Sequence, residues 1–124
     1  MAKYVDGFVI TMPSKNLEMY KKMAKVGAKT WMKNGALDYK ECVIEDAEPA
    51  MGDMGTLTFG KLTKAKPDET VVFAFIVYKS RKHRDQVNKK VMQDFEKHDP
   101  MKDMPMPFKM NRMAYGGFEV LVDA

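Results

Sequence analysis

Residues 70–78 read TVVFAFIVY, a stretch in which nearly every position is apolar. Side chains along a β-strand alternate between its two faces. One face of this strand therefore carries Val71, Phe73, Phe75 and Val77. The other face carries Val72, Ala74, Ile76 and Tyr78. Because both faces are apolar, the folded protein has to cover both of them.

The same alternation predicts three further strands, at residues 3–12, 36–45 and 112–123. Apolar residues at spacings of three and four predict a first helix over residues 15–34 and a second up to about residue 97. The buried stripe of the first helix is Leu17, Tyr20, Ala24, Gly27, Ala28 and Trp31. That of the second is Val87, Val91 and Phe95, with Met92 beside it. Gly35 is placed to end the first helix in a left-handed conformation, and Ser80 to cap the second.

Two segments read as irregular structure. Residues 46–69 are rich in Pro, Gly, Asp and Lys, and within them residues 56–59 predict a short extra strand or arm. Residues 98–111 are rich in methionine and contain three prolines, which prevent a regular helix or a central strand. We expect this second segment to be a loop that acts as a mobile apolar lid.

The order strand-helix-strand, repeated twice, predicts an α+β ferredoxin-like fold: a four-stranded antiparallel sheet with both helices on one side. We expect residues 1–124 to form a single domain of this kind. Two helices cover one face of such a sheet. The other apolar face is expected to pack against a second copy, which gives a homodimer through the sheets.

Composition places the chain among soluble globular proteins, with 45% hydrophobic and 31% charged residues. No apolar run is long enough to cross a bilayer, and Asp6 and Gly7 interrupt any signal-peptide core. The single Cys42 agrees with a reducing compartment, so we expect a cytoplasmic protein with no membrane association. The formal charge is +4, but basic and acidic residues are mixed along the chain and form no long block of one sign. This mixture argues against a nucleic-acid partner.

Several segments resemble the YbaA-like family of small uncharacterised bacterial proteins. They are residues 3–10 (KYVDGFVI), 67–73 (PDETVVF), 77–81 (VYKSR), 83–85 (HRD), 87–88 (VN) and 112–119 (RMAYGGFE). The resemblance covers nearly the whole chain and departs from the family over residues 47–63. It implies the dimeric α/β-barrel superfamily, which includes cofactor-independent monooxygenases, haem-degrading enzymes, lactone isomerases and stress-response proteins. It implies no particular reaction, because no catalytic motif of those relatives matches positions here.

Charged residues near the start of the second helix are the first candidates for chemistry. His83 leans toward the buried stripe, where it is either a base or metal ligand, or a half-buried histidine bonded to backbone or a carboxylate. We favour the second interpretation, since no His, Cys or Glu cluster accompanies it. Arg81, Lys82 and Arg84 lie at the helix end that disfavours cations, and pairing with acids such as Asp85 and Glu119 explains them better than an acidic ligand does.

Aromatic residues and carboxylates share strand faces at two places. Tyr39 and Glu41 lie on one face of the second strand, and Tyr115 and Glu119 on one face of the last. A carboxylate among aromatic rings can serve as a proton shuttle, or it can anchor a polar contact at the dimer seam, which we favour. Trp31 is read as a core residue first and a pocket residue second.

The 13 methionines admit one metal hypothesis, a copper(I) site of thioether ligands in and after the 98–111 loop. Without accompanying cysteine or histidine we favour the lid instead, and we predict no metal and no cofactor.

Two functions stay open. One is a small-molecule-binding protein or cofactor-free enzyme with a pocket near Trp31, Tyr39, His83 and Tyr115, which requires an enclosed cavity. The other is a non-catalytic stress or regulatory dimer, weakly RNA-associated, which requires a filled core.

Overall fold

A computed structural model describes residues 1–48 and 55–124 of the protein. Its strands are β1 (Tyr4–Pro13), β2 (Asp38–Val43), β3 (Glu69–Tyr78) and β4 (Met113–Glu119). Its helices are α1 (Leu17–Lys33), α2 (Phe59–Thr63) and α3 (Arg81–Lys97). Single 3₁₀ turns, Ser14–Asn16 and Met110–Arg112, precede α1 and β4.

The four strands form one antiparallel sheet in the order β2-β3-β1-β4. The long strands β1 and β3 lie in the centre and pair along their full length, from Tyr4 opposite Tyr78 to Pro13 opposite Glu69. The shorter β2 and β4 form the two edges. This confirms the predicted ferredoxin-like α+β fold.

Element boundaries differ from the predictions mainly in the linkers. The strand predicted over residues 36–45 is confined to Asp38–Val43, and the last strand ends at Glu119 rather than at residue 123. The short strand predicted over residues 56–59 is wrong. Thr58 instead caps α2, its hydroxyl accepting a hydrogen bond from the Lys61 amide at 3.1 Å. Of the divergent segment 47–63, residues 49–54 lie outside the described residues.

Both predicted helix caps are confirmed. Gly35 follows the end of α1 with a φ of 111°, a left-handed conformation that glycine adopts without steric cost. The hydroxyl of Ser80 accepts a hydrogen bond from the His83 amide at 3.1 Å at the start of α3. These two residues fix the points at which each helix meets the sheet.

We expect Ser80→Ala to lower the free energy of unfolding by about 1 kcal/mol, because the first turn of α3 loses its side-chain acceptor. Urea denaturation followed by circular dichroism measures the change. Ser14→Ala is the matched control, since Ser14 is exposed and belongs to a 3₁₀ turn without a side-chain cap. An equal loss in both variants would contradict a specific capping role for Ser80.

The helices α1 and α3 cover one face of the sheet, which we call the covered face. Val72, Ile76 and Tyr78 of β3 are each at most 3% exposed there. They pack in two clusters with the buried stripes of α1 and α3, whose members are Tyr20, Ala24, Val87 and Val91. Met92, predicted to lie beside the α3 stripe, is 50% exposed instead.

The opposite side of the sheet, which we call the open face, carries large apolar side chains on its two central strands and on β4. Phe73 of β3 is 45% exposed and Phe118 of β4 is 59% exposed. Neither α1 nor α3 reaches this side, because the buried positions of both helices pack on the covered face. Thr11 and Val71 at one end of this face are buried, so the exposed apolar part is the region around Phe73 and Phe118. An exposed apolar area on a sheet is a typical protein–protein contact surface.

Candidate functional site

A cavity of about 250 Å³, half-open to solvent rather than enclosed as the binding hypothesis requires, lies on the covered face between α1, the sheet and the 98–111 loop; we call it the inner cavity. Its walls are almost wholly apolar. Aromatic and methionine side chains dominate the lining, which includes Phe8, Trp31, Phe108, Met23, Met101 and Met113. Among the described residues that line it, Glu41 is the one charged side chain.

Glu41 is held in place by two tyrosine hydroxyls. Tyr20 donates to its Oε1 at 2.6 Å and Tyr39 donates to its Oε2 at 2.7 Å. The local sequence explains the arrangement, because Tyr39 and Glu41 are two residues apart on β2 and share its covered face. Tyr20 reaches them from the buried stripe of α1. Short bonds to an ionised acceptor are strong ones, so this group of three is a rigid polar feature in an apolar wall.

The environment keeps both tyrosines protonated. Burial raises the pKa of Tyr20, and the hydrogen bond to Glu41 raises it further. Burial likewise raises the pKa of Tyr39, together with the charge of Glu41. Because an ordinary tyrosine already titrates near pH 10, both hydroxyls act as hydrogen-bond donors at neutral pH rather than as bases.

An outer groove of about 520 Å³ runs between α1 and β2 on the other side of this polar group. Tyr20, Ala24, Tyr39 and Glu41 line both the groove and the inner cavity. Beyond them, the groove is bordered by exposed side chains of α1, namely Glu18, Lys21 and Lys25. Glu41 therefore lies where two half-open pockets meet, one bordered by charged side chains and one mostly apolar.

A second polar cluster lies on the covered face near β4. Asp6 of β1 is 2% exposed, and its Oδ1 accepts from Arg84 Nη1 at 2.7 Å and from the Tyr115 hydroxyl at 3.1 Å. The Arg84 guanidinium also lies 4.9 Å from the centre of the Tyr4 ring. This is a buried ion pair with hydrogen-bond and cation–π support, an arrangement that stabilises structure without offering an open site.

Trp31, Tyr78 and Asn88 form a hydrogen-bonded group on the covered face, beside the inner cavity. Asn88 of α3 accepts a hydrogen bond from Trp31 Nε1 at 3.0 Å and another from the Tyr78 hydroxyl at 3.1 Å. Burial and the charge of Asp6 raise the pKa of Tyr78, which therefore stays a donor. These bonds satisfy the polar atoms of Trp31 and Tyr78, and they fix the Trp31 ring at the cavity wall.

The four predicted pocket residues are divided by the structure. Trp31 and Tyr39 line the inner cavity together, with ring centres 6.2 Å apart. His83 lies against Tyr78 instead, and its Nδ1 accepts from the Lys79 amide at 3.0 Å, as the backbone-bonded interpretation predicts. Burial and the charge of nearby lysines lower the pKa of His83. Tyr115 belongs to the Asp6–Arg84 cluster and stacks on Phe8 at 5.0 Å.

Two sequence interpretations are corrected here. Tyr39, Glu41, Tyr115 and Glu119 were expected to form polar contacts at a sheet-to-sheet seam, but all four lie on the covered face. Arg84 pairs with Asp85 as predicted, at 2.8 Å, and also with Asp6, which the sequence did not identify as its partner.

Sequence reasoning missed part of the cavity wall. Tyr20 was assigned only to the buried stripe of the first helix. A buried tyrosine hydroxyl needs a hydrogen-bond acceptor, so Tyr20 was a signal that a polar side chain lies next to that stripe. Met101 and Phe108 of the 98–111 loop line the cavity as the lid interpretation requires, while Met106 and Met110 are exposed. Of the methionines in the copper(I) hypothesis, Met101 and Met113 therefore share the cavity wall, whereas Met106 and Met110 lie at the surface.

Within the described residues 1–48 and 55–124, no three His, Cys, Asp or Glu side chains are grouped as metal ligands would be. No helix in these ranges has the length and apolar character that crossing a membrane requires.

Comparisons with known proteins agree with the fold. The chain is 39% identical over 123 residues to the "Uncharacterized protein YbaA" of Escherichia coli (strain K12), covering 98% of both chains, and the Shigella flexneri protein of the same name gives the same values. A crystal structure of a dimeric ferredoxin-like protein from an uncultured marine organism superimposes with a TM-score of 0.63 at 13% identity, covering 100% of both chains. Residues 3–110 match the family described as "Protein of unknown function (DUF1428)". This chain is a member of the DUF1428 family, which adopts here the ferredoxin-like fold.

Proposed function

We propose that this protein is a homodimeric small-molecule-binding protein whose ligand occupies the inner cavity. The observation that carries the proposal is the cavity itself: an apolar space beside one carboxylate that two tyrosine hydroxyls hold in a fixed orientation. Apolar pockets with a few well-placed polar groups are the usual form of ligand sites.

The size of the cavity limits the ligand. At about 250 Å³ it is smaller than the sites that bind drug-sized molecules, so the ligand is a compact molecule with an apolar body. Methionines from three parts of the chain line the wall, namely Met23, Met101 and Met113. Their flexible side chains adapt to a bound shape more readily than branched ones do. The outer groove gives the ligand a route from solvent to Glu41.

The open face supports the homodimer. Phe73 and Phe118 expose about half of their surface on it, next to other apolar side chains of β1 and β3. The marine protein of the same fold is described as dimeric. A sheet face of this kind supplies the apolar core that a stable interface needs. The free Cys42 supports a reducing cytoplasmic location for the dimer.

The lining residues favour binding over a named reaction. Tyr20 and Tyr39 are poor bases because their pKa values are raised, and both Glu41 oxygens already accept hydrogen bonds. Whether binding is followed by catalysis stays open. The alternative of a regulatory dimer without a ligand calls for a filled core, and the inner cavity weighs against it.

Filling the cavity is the direct test. Ala74 of β3 lines it and is 4% exposed, so Ala74→Leu places extra carbon atoms in the space that the ligand needs. We expect native mass spectrometry of the freshly purified wild type to show a bound small molecule, and the variant to lack it. We also expect the variant to bind 2-phenylethanol and 2-phenylethylamine at least about tenfold more weakly in NMR titrations, as loss of an apolar contact area predicts.

The control is Ala47→Leu, which adds the same atoms at an exposed loop position. It should bind as the wild type does. Both variants should retain the wild-type circular dichroism spectrum. The proposal fails if the wild type carries no small molecule and neither probe binds, or if Ala74→Leu binds both probes as tightly as Ala47→Leu.

A further inference from the structure

Glu41 differs in its bonding partners from the other acidic residues that are buried or half-buried in the described part of the chain. In the described part of the chain, five Asp or Glu residues are buried or half-buried. Four of these carboxylates form an ion pair with a lysine or arginine, in the pairs Asp6–Arg84, Asp38–Lys40, Glu69–Arg112 and Asp94–Lys33. The fifth is Glu41, and its partners are two neutral tyrosines.

No lysine or arginine of the described residues forms an ion pair with Glu41. Residues 49–54, the segment that the structure does not describe, read PAMGDM and contain no basic residue. A carboxylate has about four acceptor positions, and the tyrosines occupy two of them. Glu41 thus keeps both a charge without an ion-pair partner and unused acceptor capacity, in the wall of the inner cavity.

The walls around this carboxylate suit a cation. Five aromatic rings line the inner cavity: Phe8, Tyr20, Trp31, Tyr39 and Phe108. The electron-rich face of an aromatic ring attracts an ammonium group, most strongly when water is excluded. A positive group on a ligand therefore gains both an ion pair with Glu41 and contact with ring faces. A negative group in the same cavity would meet Glu41 with no cation to offset the repulsion.

We infer that the ligand of the inner cavity is a small organic amine: an ammonium group that binds Glu41, attached to an apolar body about the size of one ring. The inference rests on the proposed function and adds the chemical class of its ligand. The competing class is a small carboxylic acid, held in the outer groove by Lys21 and Lys25.

Three probes with the same apolar body separate these classes: 2-phenylethylamine, 2-phenylethanol and phenylacetate. We expect the amine to bind the wild type about tenfold or more tightly than the alcohol, and phenylacetate most weakly, by isothermal titration and NMR at neutral pH. In Glu41→Gln the advantage of the amine should disappear while the alcohol still binds, because glutamine keeps the shape and its oxygen can still accept from a tyrosine.

Glu18→Gln is the matched control, since it removes the same charge from the outer groove but leaves the inner cavity unchanged. It should keep the amine preference. The inference is overturned if the alcohol or phenylacetate binds as tightly as the amine, or if Glu18→Gln removes the preference as fully as Glu41→Gln. Either of these results would overturn the ligand class but would leave the proposed binding of a small molecule in the inner cavity unaffected. Failure of all three probes to bind would overturn the inference, and together with a wild type that carries no small molecule it would remove the proposed function as well.

Discussion

Replacing Arg84 with methionine is expected to lower the free energy of unfolding by about 3–5 kcal/mol, because it leaves the Asp6 carboxylate buried without a charge partner. Asp6 is 2% exposed, and the Arg84 side chain is itself only 13% exposed. The guanidinium also binds the Tyr115 hydroxyl at 2.9 Å. Urea denaturation followed by circular dichroism measures the loss, which is a large share of the stability of a domain of this size.

Two further variants separate charge from packing. Lys82→Met removes the same charge from an exposed position two residues before Arg84, and its effect should stay within about 0.5 kcal/mol. The double variant Asp6→Asn, Arg84→Met removes both charges and should recover part of the stability that the single Arg84 variant loses. A single Arg84→Met variant within about 1 kcal/mol of the wild type would show that the buried pair does not carry this stability.

The fold was predictable from the sequence because each element carries a local signal. A short apolar run rich in β-branched and aromatic residues identified β3 over residues 70–78, and Gly35 and Ser80 marked the ends of helices through backbone conformation and capping. The short helix α2 was not predictable in the same way. Five residues are too few to show a helical period, and the Thr58 cap is visible only once Lys61 is known to follow in helical conformation.

The candidate site was only half predictable, and the order of strands gives the reason. Tyr39 and Tyr115 share the covered face, so alternation alone places them together. They belong to β2 and β4, however, which are the opposite edges of the sheet, about 14 Å apart at the usual strand spacing. Asp6 shows the same limit, because its partner Arg84 is 78 positions away in the sequence. Side-chain pairing across such separations leaves no periodic pattern.

Placing a carboxylate on the open face at Phe73 is expected to convert the proposed homodimer into a monomer. Phe73 lies on the central strand β3, paired with Val9 on β1 and Cys42 on β2, so the change falls in the middle of the face. In a two-fold symmetric dimer the substitution buries one unpaired charge from each copy. At several kcal/mol for each such charge, Phe73→Asp should raise the dissociation constant at least about a hundredfold.

Sedimentation velocity at micromolar concentration measures the outcome against the 14.2 kDa mass of one chain. Met92→Asp is the control, because Met92 is exposed to a similar extent but belongs to α3 in the helical layer. It should leave the dimer intact. A wild type that sediments as a single chain, or a Phe73→Asp variant that stays dimeric, would mean that the open face is not the interface. The apolar surface of Phe73 and Phe118 would then have to face solvent, at a cost that a second copy of the chain otherwise removes.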